Sequence, residues 1–361
     1  MSLVCIIGSG LMGSAMSVPA VDNGHQVNLV GTPLDRHIIE SLRQNGVHPT
    51  LPCKLPENMG LFQFEQLEQA LSGAELIICG VSSFGVDWFA REVLPQLPSA
   101  VPLINVTKGL REAEPGVLQS FPQYFSAIRP DMAFAAIGGP CTSYELAERR
   151  QTLVYFCSEK TSTAEFARKL LQTNYYHIVV TDDVIGLECS VAMKNAYAMG
   201  VSLAIGMSEK ENEESAGKKT GVRQNQLISG AHDGRLHYNP QAALFGQSCV
   251  EMRRLVRLLG GNGDLAGGIP GAGDLYVTVF GGRTRRLGTL LGKGLSYAEV
   301  KKKLAGVTLE AVAVIETVSA ALRHRAAKNG LDLHQFPLLM HMESLLKGNT
   351  GKKLPWKQFG E

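Results

Sequence analysis

Lys194 sits in the middle of GLECSVAMKNAYAMGVSLAIGM (Gly186 to Met207), a helix-like stretch that is otherwise almost entirely apolar or small. At 3.6 residues per turn its neighbours are Ser190, Val191, Tyr197 and Ala198, which do not make a solvated face. Burial disfavours an ammonium and lowers its pKa, which is how a protein makes a titratable lysine. A lysine snorkelling along apolar surface is the plainer reading of the same pattern. Other residues of chemical interest lie far away in the chain. Lys108 follows the apolar run Pro102 to Val106, either as a cation for an anionic substrate or as a loop lysine. Asp274 and Thr278 are four apart, hence on one side of a helical turn. Arg283 follows Gly281-Gly282, where a guanidinium fork can come close to phosphate oxygens, and Thr284 adds a hydroxyl. Arg285 and Arg286 read as a solvated helix start.

A second chemistry is written at the N-terminus. The apolar run Leu3 to Ile7 is followed at once by Gly8-Ser9-Gly10-Leu11-Met12-Gly13, then by a helical segment to Asn23 and a strand at Gln26 to Val30. In this strand–turn–helix–strand setting GxGxxG reads as a dinucleotide site. Gly8 permits the tight turn, Gly10 lets a pyrophosphate approach, and Gly13 lets the helix pack on the strand. The helix N-terminus then offers free N–H groups and a positive dipole end. Pro19 inside that helix predicts either a kink or the loss of one hydrogen bond. The second strand ends in Gly31-Thr32-Pro33, without the carboxylate that accepts the ribose hydroxyls of NAD; Arg36 follows, able to reach a 2′-phosphate. The cofactor is therefore read as NADP or NAD, leaning to NADP.

These segments need a scaffold. The chain has 361 residues, enough for about two domains. A net charge of +2 gives no reason to expect nucleic acid or an anionic membrane as partner. Seven scattered cysteines without a CxxC argue against a disulfide framework or zinc site, and for reduced thiols in a cytoplasm. His232 and His237 lack ligand-spaced partners, so no metal is expected. No apolar run reaches membrane-spanning length, and the N-terminus lacks a signal-peptide pattern.

Strand and helix patterns alternate as far as Asp183: strands at Glu75–Val81, Pro102–Val106, Met132–Ile137, Thr152–Cys157 and His177–Thr181, with helices between. That is a doubly wound parallel sheet, with ligands at the strands' carboxyl ends. A Pro-rich connection, His48 to Asn58, interrupts it. Beyond 185 the patterning is helical, so the domains are read as 1–185 and 186–361. Residues 208–238 are polar and weakly periodic and read as a surface insertion.

Four blocks together make the chain resemble the NAD(P)-dependent glycerol-3-phosphate dehydrogenases: IIGSGLMGSA, INVTKGL, ECSVAMKNAYAMGVSLAIG and GAGDLYVTVFGGRTRRLG. The resemblance implies a Rossmann domain followed by a helical domain of the 6-phosphogluconate dehydrogenase type. It implies Lys194 as catalytic acid/base, with Lys108 and Asp274 beside it. Substrate would be held by Lys108, Gly139, Cys141, Lys194, Asp274, Thr278, Gly282, Arg283 and Thr284. Cofactor would be held by Gly8 through Gly13, Thr32, Arg36, Lys108, Ser143, Arg283 and Glu310. A small phosphorylated substrate, a cytoplasmic homodimer and a place in phospholipid synthesis belong to the same expectation. Thr284 stands where the family usually has asparagine, and Ala311 where it has glycine. Two rivals remain open at this point: a dehydrogenase of another hydroxy acid or sugar phosphate, and a cofactor-binding regulator without turnover.

Overall fold

In β1 (Leu3–Ile7), Val4 and Ile6 serve one apolar cluster and Cys5 and Ile7 another, so the strand is covered on both faces. That is the condition for a central strand of a parallel sheet. The computed structural model, which describes residues 1–51, 53–216, 237–349 and 353–360, builds eight strands around it. They are β1, β2 (Gln26–Val30), β3 (Met59–Phe62), β4 (Leu76–Cys79) and β5 (Leu103–Asn105), then β8 (Phe134–Gly138), β9 (Thr152–Cys157) and β10 (Tyr176–Thr181). Their order is β10-β9-β8-β5-β4-β1-β2-β3. All neighbours are parallel except β8 and β9, where Ala136 faces Cys157 across an antiparallel pair. The order reverses between β1 and β4, and a crevice opens there at the carboxyl ends.

Among the elements not placed in advance are β3, the helix Phe121–Ile128, and a hairpin of β6 (Leu110–Glu114) and β7 (Val117–Ser120). The hairpin leaves the sheet and lies on the helix Glu310–Asn329. There His324 Nδ1 is 2.8 Å from Glu112 Oε1, and Arg325 Nε donates to Gly116 O at 2.6 Å. The helix Leu11–Asp22 runs through Pro19 to its end, and only the bond that residue 19 would donate to Ala15 is lost.

The second half is built on one helix, Val184–Ala216. It passes the expected start of the insertion without a break, and Ser208 is buried. Lys293 Nζ holds its exposed face through Glu209 (2.9 Å) and Glu213 (2.7 Å). The rest of the expected excursion, 217–236 with His232, lies outside the described residues; His237 immediately precedes the helix Tyr238–Leu258.

The glycine-rich stretch 260–288 is largely helical, and Gly288 at its end has a packing reason that it shares with Gly206 and Gly292. A Cβ on Gly288 would meet Met199 O at 2.3 Å, one on Gly292 Leu203 O at 2.1 Å, and one on Gly206 Thr289 O at 2.0 Å. The helices Val184–Ala216 and Gly282–Gly292 therefore pack main chain against main chain. A further anchor is the buried Glu251. It accepts Leu338 N (2.7 Å) and Leu339 N (3.0 Å) at the start of the helix Pro337–Leu346, together with the Tyr197 hydroxyl (3.0 Å) and Gln247 Nε2 (2.9 Å).

Candidate active site

The segment after β5 is stiff before it reaches Lys108. Thr107 donates its hydroxyl to Val81 O (2.6 Å), and the Asn105 side-chain amide donates to Thr107 O (2.8 Å). From this base Lys108 Nζ donates to Asp274 Oδ2 at 2.6 Å and to Gly139 O, at the end of β8, at 3.1 Å. Lys194 reaches Asp274 Oδ1 from the long helix. Asp274 opens the short helix Asp274–Val279 and is 1% exposed; the two lysine side chains are 17% and 12% exposed. Two cations from different elements thus share one buried carboxylate.

The shared carboxylate divides the lysines electrostatically. Burial pushes Lys194 down to about 8; Asp274 opposes that shift and the charge of Lys108 adds to it. Burial also penalises Lys108, but the charge and hydrogen bond of Asp274 outweigh it and leave Lys108 above the ordinary lysine value. Lys194 is therefore the member of the pair that releases its proton first. Cys141 lies beside them, its thiol pushed up to about 12 by burial against the pull of Lys108, so it stays neutral.

A cavity of about 200 Å³ opens next to Lys194, lined by Asn195, Thr278, Gly282, Arg283, Thr284, Thr308 and Glu310. Six of the expected residues thus meet around one space: Lys194, Thr278, Gly282, Arg283, Thr284 and Glu310. The Thr278 hydroxyl is turned to its own helix, donating to Asp274 O at 2.7 Å. Lys108, Gly139, Cys141 and Asp274 stand at the rear of the same site, where Lys108 joins Gly139 to Asp274. Asn195 and Thr308 were missed. Asn195 donates to Glu310 Oε2 at 3.3 Å, and its adjacency to Lys194 was the available signal. Thr308 carries no signal: it arrives on the segment before the helix Glu310–Asn329.

The glycine turn fits a dinucleotide. Gly8 has φ +110°, and a Cβ there would stand 2.7 Å from the carbonyl carbon of Gly80 beyond β4. A Cβ on Gly13 would stand 2.0 Å from Gly8 O, whereas one on Gly10 would meet nothing within 4 Å. Packing thus demands the outer two glycines, and the middle one faces open space before the helix N-terminus at Leu11 and Met12, as a pyrophosphate needs. Buried Ser9 Oγ has no hydrogen-bond partner among the described residues. Ser143 opens the helix Ser143–Ala147 on the β8 side.

The end of β2 differs from the sequence expectation. Asp35 folds back so that its Oδ2 accepts Ser9 N (3.2 Å) and Thr32 N (3.1 Å), bringing a carboxylate to the turn from four residues beyond Gly31. Arg36, read as a 2′-phosphate ligand, is ion-paired with Glu65. Among the described residues no helix is long and apolar enough to cross a membrane, and no group of three or more His, Cys, Asp or Glu could hold a metal.

Comparison with known proteins agrees with this geometry. The model of the NAD-dependent glycerol-3-phosphate dehydrogenase N-terminus matches residues 3–164, and that of the C-terminus residues 227–354. An NADP(+)-dependent glycerol-3-phosphate dehydrogenase of Archaeoglobus fulgidus is 35% identical over 323 residues, covering 89% of each chain. A glycerol-3-phosphate dehydrogenase [NAD(P)+] of Shouchella clausii is 27% identical, covering 86% of this chain and 84% of its own. In fold, the chain is similar to the glycerol-3-phosphate dehydrogenase of Coxiella burnetii: TM-score 0.76 at 22% identity, over 99% of this chain and 97% of that one. The doubly wound sheet, the helical second half and matches spanning both halves lead to one conclusion: this chain belongs to the NAD-dependent glycerol-3-phosphate dehydrogenase family.

Proposed function

We propose that the protein interconverts sn-glycerol 3-phosphate and dihydroxyacetone phosphate with NADP(H) or NAD(H), using Lys194 as general acid and base. The observation that carries this reading is the pair of lysines on Asp274 beside a cavity that also holds Arg283. The nicotinamide, when bound, supplies or takes the hydride at the carbinol carbon. What remains for the chain is to hold the substrate, exclude water and move one proton. In ketone reduction Lys194 gives a proton from Nζ to the carbonyl oxygen, and in alcohol oxidation it takes that proton back. Before transfer its positive charge stabilises the oxygen's developing negative charge. Asp274 orients Lys194 and Lys108 without titrating them equally, and Lys108 adds a fixed cation near the reacting oxygen. Arg283 and Thr284, at the start of their helix, receive the substrate phosphate.

The cofactor lies on the Gly8–Gly13 turn, with Thr32 at the adenosine ribose, Arg36 beside it once its exposed ion pair with Glu65 opens, and Ser143 and Glu310 toward the nicotinamide. Residues 1–185 form the cofactor domain and 186–361 the catalytic one. A cytoplasmic homodimer supplying glycerol phosphate to phospholipid synthesis completes the proposal. The deciding experiment follows NADPH oxidation by absorbance with dihydroxyacetone phosphate, repeated with NADH. Turnover with this ketone supports the reading. Turnover only with another hydroxy acid or sugar phosphate, or cofactor binding without turnover, replaces it.

A further inference from the structure

His48 belongs to neither the turn nor the catalytic cluster, yet it is tied to the turn. It begins the Pro-rich connection between the helix Arg36–Asn45 and β3, and it is 2% exposed. Its Nδ1 accepts two backbone N–H groups of its own connection, Leu51 at 3.0 Å and Thr50 at 3.2 Å. An Nδ1 that accepts twice carries no proton, so the proton is on Nε2. Nε2 is 3.0 Å from Ser9 O, inside Gly8-Ser9-Gly10, and donates to it. Burial holds the ring below the ordinary histidine pKa, against the Ser9 hydrogen bond and the charge of Asp35, which keeps it neutral.

The peptide groups of Ser9 are thereby held from three directions. Its N–H goes to Asp35 Oδ2, and its carbonyl accepts both His48 Nε2 and the Ser14 hydroxyl (2.9 Å). Each bond ties a different element to the turn: the start of the Arg36–Asn45 helix, the connection, and the helix Leu11–Asp22. Of the three, the His48 bond alone reaches the turn from the connection, where Leu51 and Leu55 are buried and Cys53 packs against the same apolar cluster.

We propose that His48 is a positioning residue for the cofactor: its ring clamps the 48–58 connection to the glycine turn and fixes the Ser9 peptide, so that the turn is preformed when the dinucleotide arrives. The proposal rests on the reading of that turn as the NAD(P) site. A preformed turn avoids ordering costs at binding, so the benefit falls on affinity rather than on chemistry.

The two ring nitrogens can be tested separately. His48→Asn places an acceptor where Nδ1 stands but cannot reach Ser9 O. His48→Gln places an amide donor near the reach of Nε2. NADPH and NADH affinities of wild type, His48→Ala, His48→Asn and His48→Gln are measured by fluorescence titration, with kcat at saturating cofactor and thermal unfolding alongside. His48→Ala and His48→Asn should each weaken both cofactors about tenfold, the loss of one hydrogen bond to a buried acceptor. His48→Gln should recover most of that, and kcat should stay within about twofold, because the cost falls on binding. Wild-type affinity in His48→Ala or His48→Asn, no recovery in His48→Gln, or a loss confined to kcat would overturn the proposal. If His48→Ala does not fold, the Asn and Gln variants decide it. Failure of the wild type to bind either dinucleotide would overturn the site reading itself.

Discussion

Lys108 and Lys194 occupy opposite oxygens of one carboxylate, Asp274, which is almost completely buried. Neither lysine owns its counter-charge. Removing it leaves two largely desolvated ammonium groups facing each other, and the cheapest relief is for Lys194 to lose its proton. Asp274→Asn should therefore lower stability by about 3 kcal/mol, the scale of a broken buried pair. It should also move the Lys194 titration to lower pH. Urea unfolding and the pH profile of ketone reduction read the two effects; an unchanged profile would detach Asp274 from the proton step.

The pH dependence of the wild type has a definite sign. If Lys194 is the acid, as proposed, reduction needs its ammonium, whose pKa is brought down to about 8, so kcat/KM for the ketone should fall as pH rises through that value. Oxidation needs the free amine and should rise over the same range. Lys194→Ala should abolish both limbs and lower kcat by about 10²–10⁴-fold, with cofactor affinity nearly unchanged. A variant with near wild-type kcat would remove Lys194 from the mechanism.

Arg283 lines the cavity, and Arg286 is exposed one turn further along the same helix. Arg283→Lys keeps the charge but loses the two-pronged donor, and should weaken use of the phosphorylated substrate by about 1.5–3 kcal/mol. Arg286→Lys should change little. Steady-state kinetics with substrate and cofactor varied in turn separate the two. Equal, negligible effects would shift the phosphate toward Lys108.

Glu251 offers a test of the scaffold that leaves the chemistry alone. Its carboxylate takes two backbone N–H groups of the helix Pro337–Leu346 and the buried hydroxyl of Tyr197. Glu251→Ala orphans all three and should cost about 3–5 kcal/mol in urea unfolding. Tyr197→Phe, which removes one partner, should cost about 1 kcal/mol. Comparable losses in the two variants would show that the helix start is satisfied another way.

Local patterns made a good part of this legible. Strand β1 appears at the residues its apolar run indicates, because a strand buried on both faces has little freedom of composition, and β2 follows at the spacing of the glycine motif. Lys194 stood out for a similar reason, since a lone cation among small apolar residues is either desolvated or forced to snorkel. What escaped was set by tertiary contact. The half-buried edge strand β3 has only four residues, MGLF, and follows a Pro-rich connection, so its apolar run is too short to stand out, and the hairpin β6–β7 gains its partners from a helix two hundred residues away. The return of Asp35 to the turn depends on its side-chain direction, and Thr308 enters the cavity only because the Glu310–Asn329 helix is docked there.

The main-chain seam at Gly206, Gly288 and Gly292 has a consequence for selectivity. Lys194 and the proposed phosphate clamp are mounted on the two helices it joins, and at these three positions main chain meets main chain with little to compress, rotate or trim. Their separation works as a gauge of fixed jaw. A ketone phosphate with one carbon more or fewer between its two reacting ends meets a tool that cannot be reset from the cavity wall. Widening it would require a change at the seam, where any added carbon collides with a carbonyl.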